Sequence, residues 1–406
     1  MLYKSRKNCI LCKNNELSSV LELPKTPPAN ELMTKRESQD LIPLSLMLCN
    51  SCGHVQLKEI VPPERLFRKY LYVSGTSPVF IQHFKNAASS IIETTNIDKK
   101  DLIVEIGSND GTLLQAFRSK GYANILGVDP ANEIAEIANQ NQITTIPEFF
   151  DKNVCEKIFS ENGKAKLILA NNVFAHSEDL IGMANDVSSL LDKEGYFIFE
   201  VSYLLDVIDK LLFDTIYHEH LSYHAIKPLI KFLENEGLYL FHVERINSHG
   251  GSIRCFASKK KIDLSEETKN IIDLEEEKKL FSIETYKLFG QRINMQGQLL
   301  RKKIYNLKKN KKKICGFGAP AKLTTLMYAF DLKSEDFEFI IDDSKFKQGL
   351  LTSGMHIPIV SSERLYEDDI DACIVFAWNF YDSIIKKHAK WNMNGKIFIN
   401  PIEDIN

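Results

Sequence analysis

Between residues 100 and 260 short apolar runs alternate with segments whose apolar residues recur at helical spacing. Runs at 102–106, 125–129, 166–171 and 196–200 predict buried strands, and segments at 78–94, from 111, 133–139 and 180–191 predict helices. Strand alternating with helix predicts a parallel sheet covered on both faces. Two further runs, 239–246 and 252–257, are joined by Asn247-Ser248-His249-Gly250-Gly251. That connection is too short for a parallel crossover, so the pair is expected to be antiparallel. A second alternation follows, with strands at 313–317, 337–341, 372–377 and 396–399. Its first strand leads into Gly318-Ala319-Pro320-Ala321-Lys322 and a helix, and its second ends at Asp342-Asp343, a mononucleotide-binding layout. The helix start and Lys322 are candidates for holding a phosphate. Between the two alternations, 263–305 is charged and helical in pattern and reads as a solvated linker helix, with the basic run 308–313 in the same exposed connection.

Residues 1–70 do not share this rhythm and have too few helical repeats to build a core alone. Cys9-x-x-Cys12 and Cys49-x-x-Cys52 supply two knuckles, each able to turn both sulfurs toward one metal ion. Two knuckles complete a tetrahedral thiolate site, the structural zinc pattern, with one Zn²⁺ per chain and no open position for water. Metal then supplies the folding energy that burial cannot. A disulfide pair is the competing reading, weakened by a reduced compartment. Cys155, Cys255, Cys315 and Cys373 lack such spacing and read as small core residues.

The loop after the first strand, Val104-Glu105-Ile106-Gly107-Ser108-Asn109-Asp110-Gly111-Thr112, carries the most chemistry. Gly107 and Gly111 let a ligand approach the backbone. Asp129 ends the next strand and can accept both hydroxyls of a ribose. The loop departs from the dinucleotide G-x-G-x-x-G fingerprint. With few free donors for a pyrophosphate and an added acid at Asp110, it suits a cationic, phosphate-free ligand. It resembles the S-adenosylmethionine loop of class I methyltransferases, with Glu105, Gly107, Asn109, Asp110, Gly111, Asp129 and Asn171 as the candidate cofactor residues. The competing reading is an ordinary strand–turn–helix crossover.

The chain has 406 residues, 44% hydrophobic and 26% charged, with a net charge of −3. Two or three domains are expected, and nothing points to nucleic acid or an anionic membrane as partner. No apolar run is long enough to span a bilayer. No signal-peptide core follows the basic N-terminus, and a cytoplasmic, monomeric protein is expected.

Three of ten histidines fall within Tyr217-His218-Glu219-His220-Leu221-Ser222-Tyr223-His224. On a helical turn Tyr217 and His220 share a face, as do His220 and His224; on an extended segment His218 and His220 do. The pattern does not choose between them. Structural histidines and a second metal site from His218, His220 and His224 are the alternatives.

Taken together, these motifs resemble the C-methyltransferases that act on nucleotide-linked 4-keto deoxysugars. The resemblance runs through the four cysteines, Cys52-Gly53-His54-Val55-Gln56-Leu57, Tyr70-Leu71-Tyr72-Val73-Ser74-Gly75-Thr76-Ser77, the 104–114 loop and Asn172-Val173-Phe174-Ala175-His176. It continues in 217–223, His249-Gly250-Gly251-Ser252-Ile253-Arg254 and Gly316-x-Gly318-Ala319-x-Ala321-Lys322. It implies a zinc module (1–70), a class I methyltransferase Rossmann-like domain binding S-adenosylmethionine (71–262), and a helical linker with a C-terminal Rossmann-like domain that helps hold the nucleotide sugar (263–406). It implies His220 as a base, with Tyr217, Glu219, His176 and Tyr72 lining the reaction site. His249, Gly250, Arg254, Gly318 and Lys322 would face the nucleotide-linked keto sugar. Glu219 is expected to orient, or raise the basicity of, a neighbouring imidazole. O- or N-methylation of a sugar, or a non-catalytic scaffold, are the rival functions.

Overall fold

The computed structural model describes residues 2–68, 70, 73–76, 78–393 and 395–402. At its centre lies a seven-stranded sheet in the spatial order Thr145–Ile146, Ile125–Val128, Ile103–Ile106, Ala165–Asn171, Leu191–Ser202, Ser252–Ser258, Tyr239–Ile246. The first five strands are parallel. Ser252–Ser258 runs antiparallel between its two neighbours, as the short 247–251 connection required. This is the class I methyltransferase arrangement. Ile103–Ile106 is buried at every position and Ala165–Asn171 at all but one, because helices cover both faces. The strand order reverses between these two strands, and a crevice for ligand opens beyond their carboxyl ends at such a point.

A second sheet of five parallel strands has the order Ile359–Val360, Ile340–Ile341, Ile314–Phe317, Ala372–Val375, Ile397–Ile399. Ile359–Val360 and Thr145–Ile146 were not anticipated, since two residues are too few to display a period.

The 263–305 region departs from the solvated linker expected of it. It forms two helices, Glu266–Glu277 and Ile283–Lys309, and the long one buries Tyr286, Phe289, Ile293, Gly297, Leu300 and Ile304. Their three- and four-residue spacing is a core-facing stripe. Glu275 is fully buried; it accepts from the Ile226 and Lys227 backbone N–H groups and from the Tyr203 hydroxyl. It thus caps the Ile226–Asn235 helix from a distant helix.

The N-terminal module is a sheet of its own. Leu17–Thr26, Ile42–Cys49 and Val55–Leu57 pair antiparallel, and Ser222–Tyr223, from far along the chain, adds beside Val55–Leu57 as the fourth strand. Ile42–Cys49 alternates buried and half-buried side chains until its last residue. Among the described residues, no helix is long and apolar enough to cross a membrane.

Candidate active site and metal centre

Cys9 and Cys12 lie on a turn before the N-terminal sheet, and Cys49 and Cys52 flank the tight turn that ends the Ile42–Cys49 strand. Gly53 closes that turn with φ of 81°, its N–H bonded to the Cys49 carbonyl at 2.9 Å. The four Sγ atoms all lie within 4.8 Å of one another, and the Cys9–Cys52 and Cys12–Cys49 pairs are each 3.6 Å apart. Zinc–sulfur bonds of about 2.3 Å at tetrahedral angles put sulfurs about 3.8 Å apart, so the set fits Zn²⁺. Among the described residues no other group of His, Cys, Asp and Glu is so arranged, and His218, His220 and His224 do not converge. Cys155, Cys255, Cys315 and Cys373 are buried in the core, as expected.

The crevice at the strand-order reversal gathers the seven candidate cofactor residues. Gly107, Asn109 and Gly111 have positive φ, and a Cβ at Gly107 would come within 2.2 Å of Val173. The Asp129 Oδ2 accepts from the Asn109 N–H and its Oδ1 from the Ala131 N–H, both at 2.9 Å, leaving lone pairs for hydroxyls. Asp110 accepts from the Thr112 hydroxyl at 2.6 Å and from the Gly75 N–H at 2.9 Å. Glu105 is 3% exposed, and burial, reinforced by Asp110 and Asp129, drives its carboxyl well above the usual range. Its Oε2 and both amide atoms of Asn171 are buried without a hydrogen-bond partner. Buried polar atoms left open in this way are costly unless a ligand meets them. The donor and acceptor set fits a cationic ligand carrying ribose hydroxyls.

Residues 217–220 form a turn, closed by the His220 N–H on the Tyr217 carbonyl at 2.9 Å, which brings the two rings to 4.2 Å at a 34° tilt. His176 stacks on His220 at 5.1 Å and 21°, and is itself stacked on Phe67. The His220 Nδ1–H donates to the Thr215 carbonyl at 2.7 Å. A carbonyl has no proton to give, so Nδ1 carries the ring proton and Nε2 is left as the basic atom. Burial holds the His220 pKa down to about 4, so the ring is neutral at ordinary pH.

One expectation about this segment is corrected, and the choice that periodicity left open is resolved. Glu219 does not orient an imidazole: its carboxylate accepts from the Asn30 side-chain amide at 2.7 Å and the Tyr70 hydroxyl at 3.3 Å. Successive side chains on a turn diverge, and the Thr215 carbonyl takes the orienting role. His224 does not share a face with His220, because the chain leaves the turn into the Ser222–Tyr223 strand; it packs between His54 and Phe174 instead. His218 sends its Nε2–H to the Pro43 carbonyl at 3.1 Å, away from Tyr217 and His220. Tyr72 lies outside the described residues.

Of the candidate substrate residues, His249 is half-buried with φ of 52° and packs 4.8 Å from Phe80. Gly250 and Gly318 allow close approach to Trp378 and Ala377, where a Cβ would come within 2.5 Å. The Lys322 amine lies 3.6 Å over the Trp378 ring and donates to Asn379 at 2.7 Å. Burial lowers its pKa to about 8, with Asp214 opposing. Arg254 is spent inside the sheet, 4% exposed and ion-paired with Glu200 at 3.2 Å and Glu244 at 2.8 Å. Sequence reasoning missed Asn30, Thr215 and Trp378. Nothing local marks Asn30 or Thr215, which act through long-range or main-chain contacts. Trp378, one of only two tryptophans, offered a compositional signal.

Three family models match consecutive stretches: a putative zinc binding domain over 9–67, a methyltransferase domain over 80–243 and a C-methyltransferase C-terminal domain over 247–403. The C-methyltransferase NovU of Streptomyces niveus is 32% identical over 401 residues, covering 98% of this chain and 95% of that protein. Among solved structures, the magnesium protoporphyrin IX methyltransferase of Synechocystis PCC 6803 with bound SAH matches at 17% identity and TM-score 0.35, over 44% of this chain and 83% of that one. A putative S-adenosylmethionine dependent methyltransferase from Listeria monocytogenes matches at 12% identity and TM-score 0.35, over 43% and 99%.

Proposed function

Since the chain belongs to the C-methyltransferase family, we propose that it methylates a carbon of a nucleotide-linked 4-keto deoxysugar, using S-adenosylmethionine and a base-generated enolate. When bound, that cofactor supplies an electrophilic methyl group on sulfur. The chain's part is to hold it and to make a carbon nucleophile. Glu105, Asp110, Asp129 and Asn171 are suited to the cation, the ribose and the open polar positions. A ketone acidifies the neighbouring C–H, because the anion spreads onto oxygen. His220 removes that proton through Nε2, and the observation that carries this reading is the Thr215 carbonyl fixing Nδ1–H. The Tyr217 hydroxyl and His176, whose rings both pack against His220, meet the developing enolate oxygen in this reading. The C-terminal domain, through Gly318 and Lys322, and the His249-Gly250 turn hold the nucleotide sugar. The four cysteines hold zinc for structure, and no reaction step passes through it.

The test combines methyl-labelled cofactor with a panel of nucleoside-diphosphate 4-keto-6-deoxyhexoses bearing different bases. Label should arrive on carbon, and the substrate's α-proton should exchange with deuterated solvent even without the methyl donor. Transfer to oxygen alone, or no exchange, overturns the enolate reading.

Two narrower outcomes follow. Asp129→Ala should weaken cofactor binding about ten- to a hundredfold by calorimetry, the loss of hydrogen bonds to a charged acceptor; unchanged affinity would remove Asp129 from the ribose. Elemental analysis should find one zinc per chain. A second equivalent would restore the histidine metal site and count against proton abstraction by His220.

A further inference from the structure

The contacts of the catalytic turn lead back to the N-terminal module, which reaches the turn at several points. Leu57 donates its N–H to the Leu221 carbonyl at 3.0 Å, and Ser222 and Tyr223 pair with Gln56 and Val55. His218 is tied to the Pro43 carbonyl. Asn30 reaches Glu219 across 189 positions of sequence, from the turn that follows the Leu17–Thr26 strand. That turn is itself clamped from the C-terminal domain. Ser353 donates to the Ala29 carbonyl at 3.1 Å, and Met33 and Leu351 exchange backbone hydrogen bonds at 3.0 and 2.7 Å. Asn30 is therefore held on one side by the domain proposed to carry the sugar nucleotide and on the other by the proposed catalytic turn.

We propose that Asn30 is a positioning residue for the reaction, and that the N-terminal module serves as the template on which the catalytic turn is set. The proposal rests on the reading of 217–220 as the reaction site. Glu219 is 2% exposed, and its hydrogen-bond partners are two neutral donors, Asn30 and Tyr70. A buried carboxylate without a cation depends on such donors to stay ionised. Burial lifts its pKa to about 7 even with the Asn30 amide and the Tyr70 hydroxyl pulling it down. Without the amide, the carboxyl takes a proton at neutral pH, becomes a donor itself, and turns toward a different partner. Backbone geometry at Glu219 is shared with His220, whose Nε2 must meet a carbon-bound proton. Among the described residues, the titratable or charged groups facing the turn include His176, stacked on His220, His249, which feels the charge of His220, and Arg65, which faces His218 but is tied to Glu31 and Asp40.

The experiment compares Asn30→Ala and Asn30→Asp in the full-length, zinc-loaded protein. The second keeps the shape of the side chain and, once ionised, lacks the donor. Both should lower kcat about ten- to a hundredfold, the range for a hydrogen bond to a charged group. Both should move the acid limb of the rate profile upward by about one pH unit, since less of Glu219 is ionised at a given pH. Cofactor affinity, zinc content and thermal unfolding should stay near the unmodified protein's. Solvent exchange of the substrate's α-proton separates the two layers of the argument. If the unmodified protein exchanges it and both variants do so at the same rate with an unmoved profile, Asn30 does not position the turn. Loss of rate that tracks lost stability, with the limb unmoved, likewise overturns the proposal in favour of a packing role. If the unmodified protein exchanges nothing, the enolate reading fails first and this one falls with it.

Discussion

His220→Asn should lower turnover about a hundred- to ten-thousandfold, the usual cost of losing a general base, with fold and cofactor affinity unchanged. Asn keeps a donor that can reach the Thr215 carbonyl, now served by Nδ1, but has no basic nitrogen to put in place of Nε2. Cofactor affinity should hold, because the crevice residues lie on other elements, at the ends of Ile103–Ile106, Ile125–Val128 and Ala165–Asn171. Single-turnover methyl transfer and α-proton exchange should fall together, since both need the same proton removed. His218→Asn should cost much less: its ring serves the Pro43 carbonyl on the far side of the turn. Equal losses at both positions would reduce the cluster to a structural role. The pH dependence separates the groups further. Burial keeps His220 neutral down to about pH 4, whereas Glu219 titrates near 7. An acid limb near neutrality therefore reports Glu219 losing its charge, and a limb far below 6 reports protonation of the base.

Cys49→Ser should strip the zinc and unfold the N-terminal module, and turnover should go with it. Cys49 is 1% exposed at the end of the central strand of the module's sheet, and its backbone bonds fix the Gly53 turn. Structural zinc contributes on the order of 10–16 kcal/mol of apparent binding free energy, which is folding free energy when the site does not exist in the unfolded chain. A hydroxyl does not replace a thiolate at such a site. Because Ser222–Tyr223 is a strand of that sheet, the damage should reach the catalytic turn. Elemental analysis, limited proteolysis and methyl transfer would check the three parts. Cys155→Ser is the control: it alters a buried thiol of the methyltransferase domain, and zinc should stay. Full zinc retention in Cys49→Ser would remove the metal reading; retained turnover without zinc would detach the module from the reaction.

Local signals made most of the fold legible. The Ile103–Ile106 strand, the Gly107–Gly111 loop and Asp129 declare themselves through buried runs and a spaced acid, and the cysteine knuckles through their two-residue gaps. Tyr239–Ile246 and Ser252–Ser258 gave their antiparallel pairing through the short loop between them. What stayed hidden depended on distant partners. Glu275 reads as one more charge in an acidic run, and only the Ile226–Asn235 helix end explains its burial. Arg254, beside a glycine turn, reads as a residue facing the sugar, yet Glu200 and Glu244 hold it inside the sheet. The 217–224 segment fits a helical turn and an extended strand equally well by periodicity; it is a turn up to His220 and a strand from Ser222. Its strand partner, Val55–Leu57, was too short and too far away to be foreseen.

The late arrival of that fourth strand bears on how the chain comes off the ribosome. His54 and Ser222 stand 168 positions apart, so at about 5–20 residues per second the Val55–Leu57 edge waits roughly ten to thirty seconds for its partner. An unpaired strand edge is a template for foreign strands. Zinc loading can close the cysteine knuckles in that interval, but it leaves the edge open. Nascent chains stalled near residue 200 should therefore be drawn into aggregates or chaperone complexes, and chains stalled far enough beyond residue 224 for that segment to emerge should escape them.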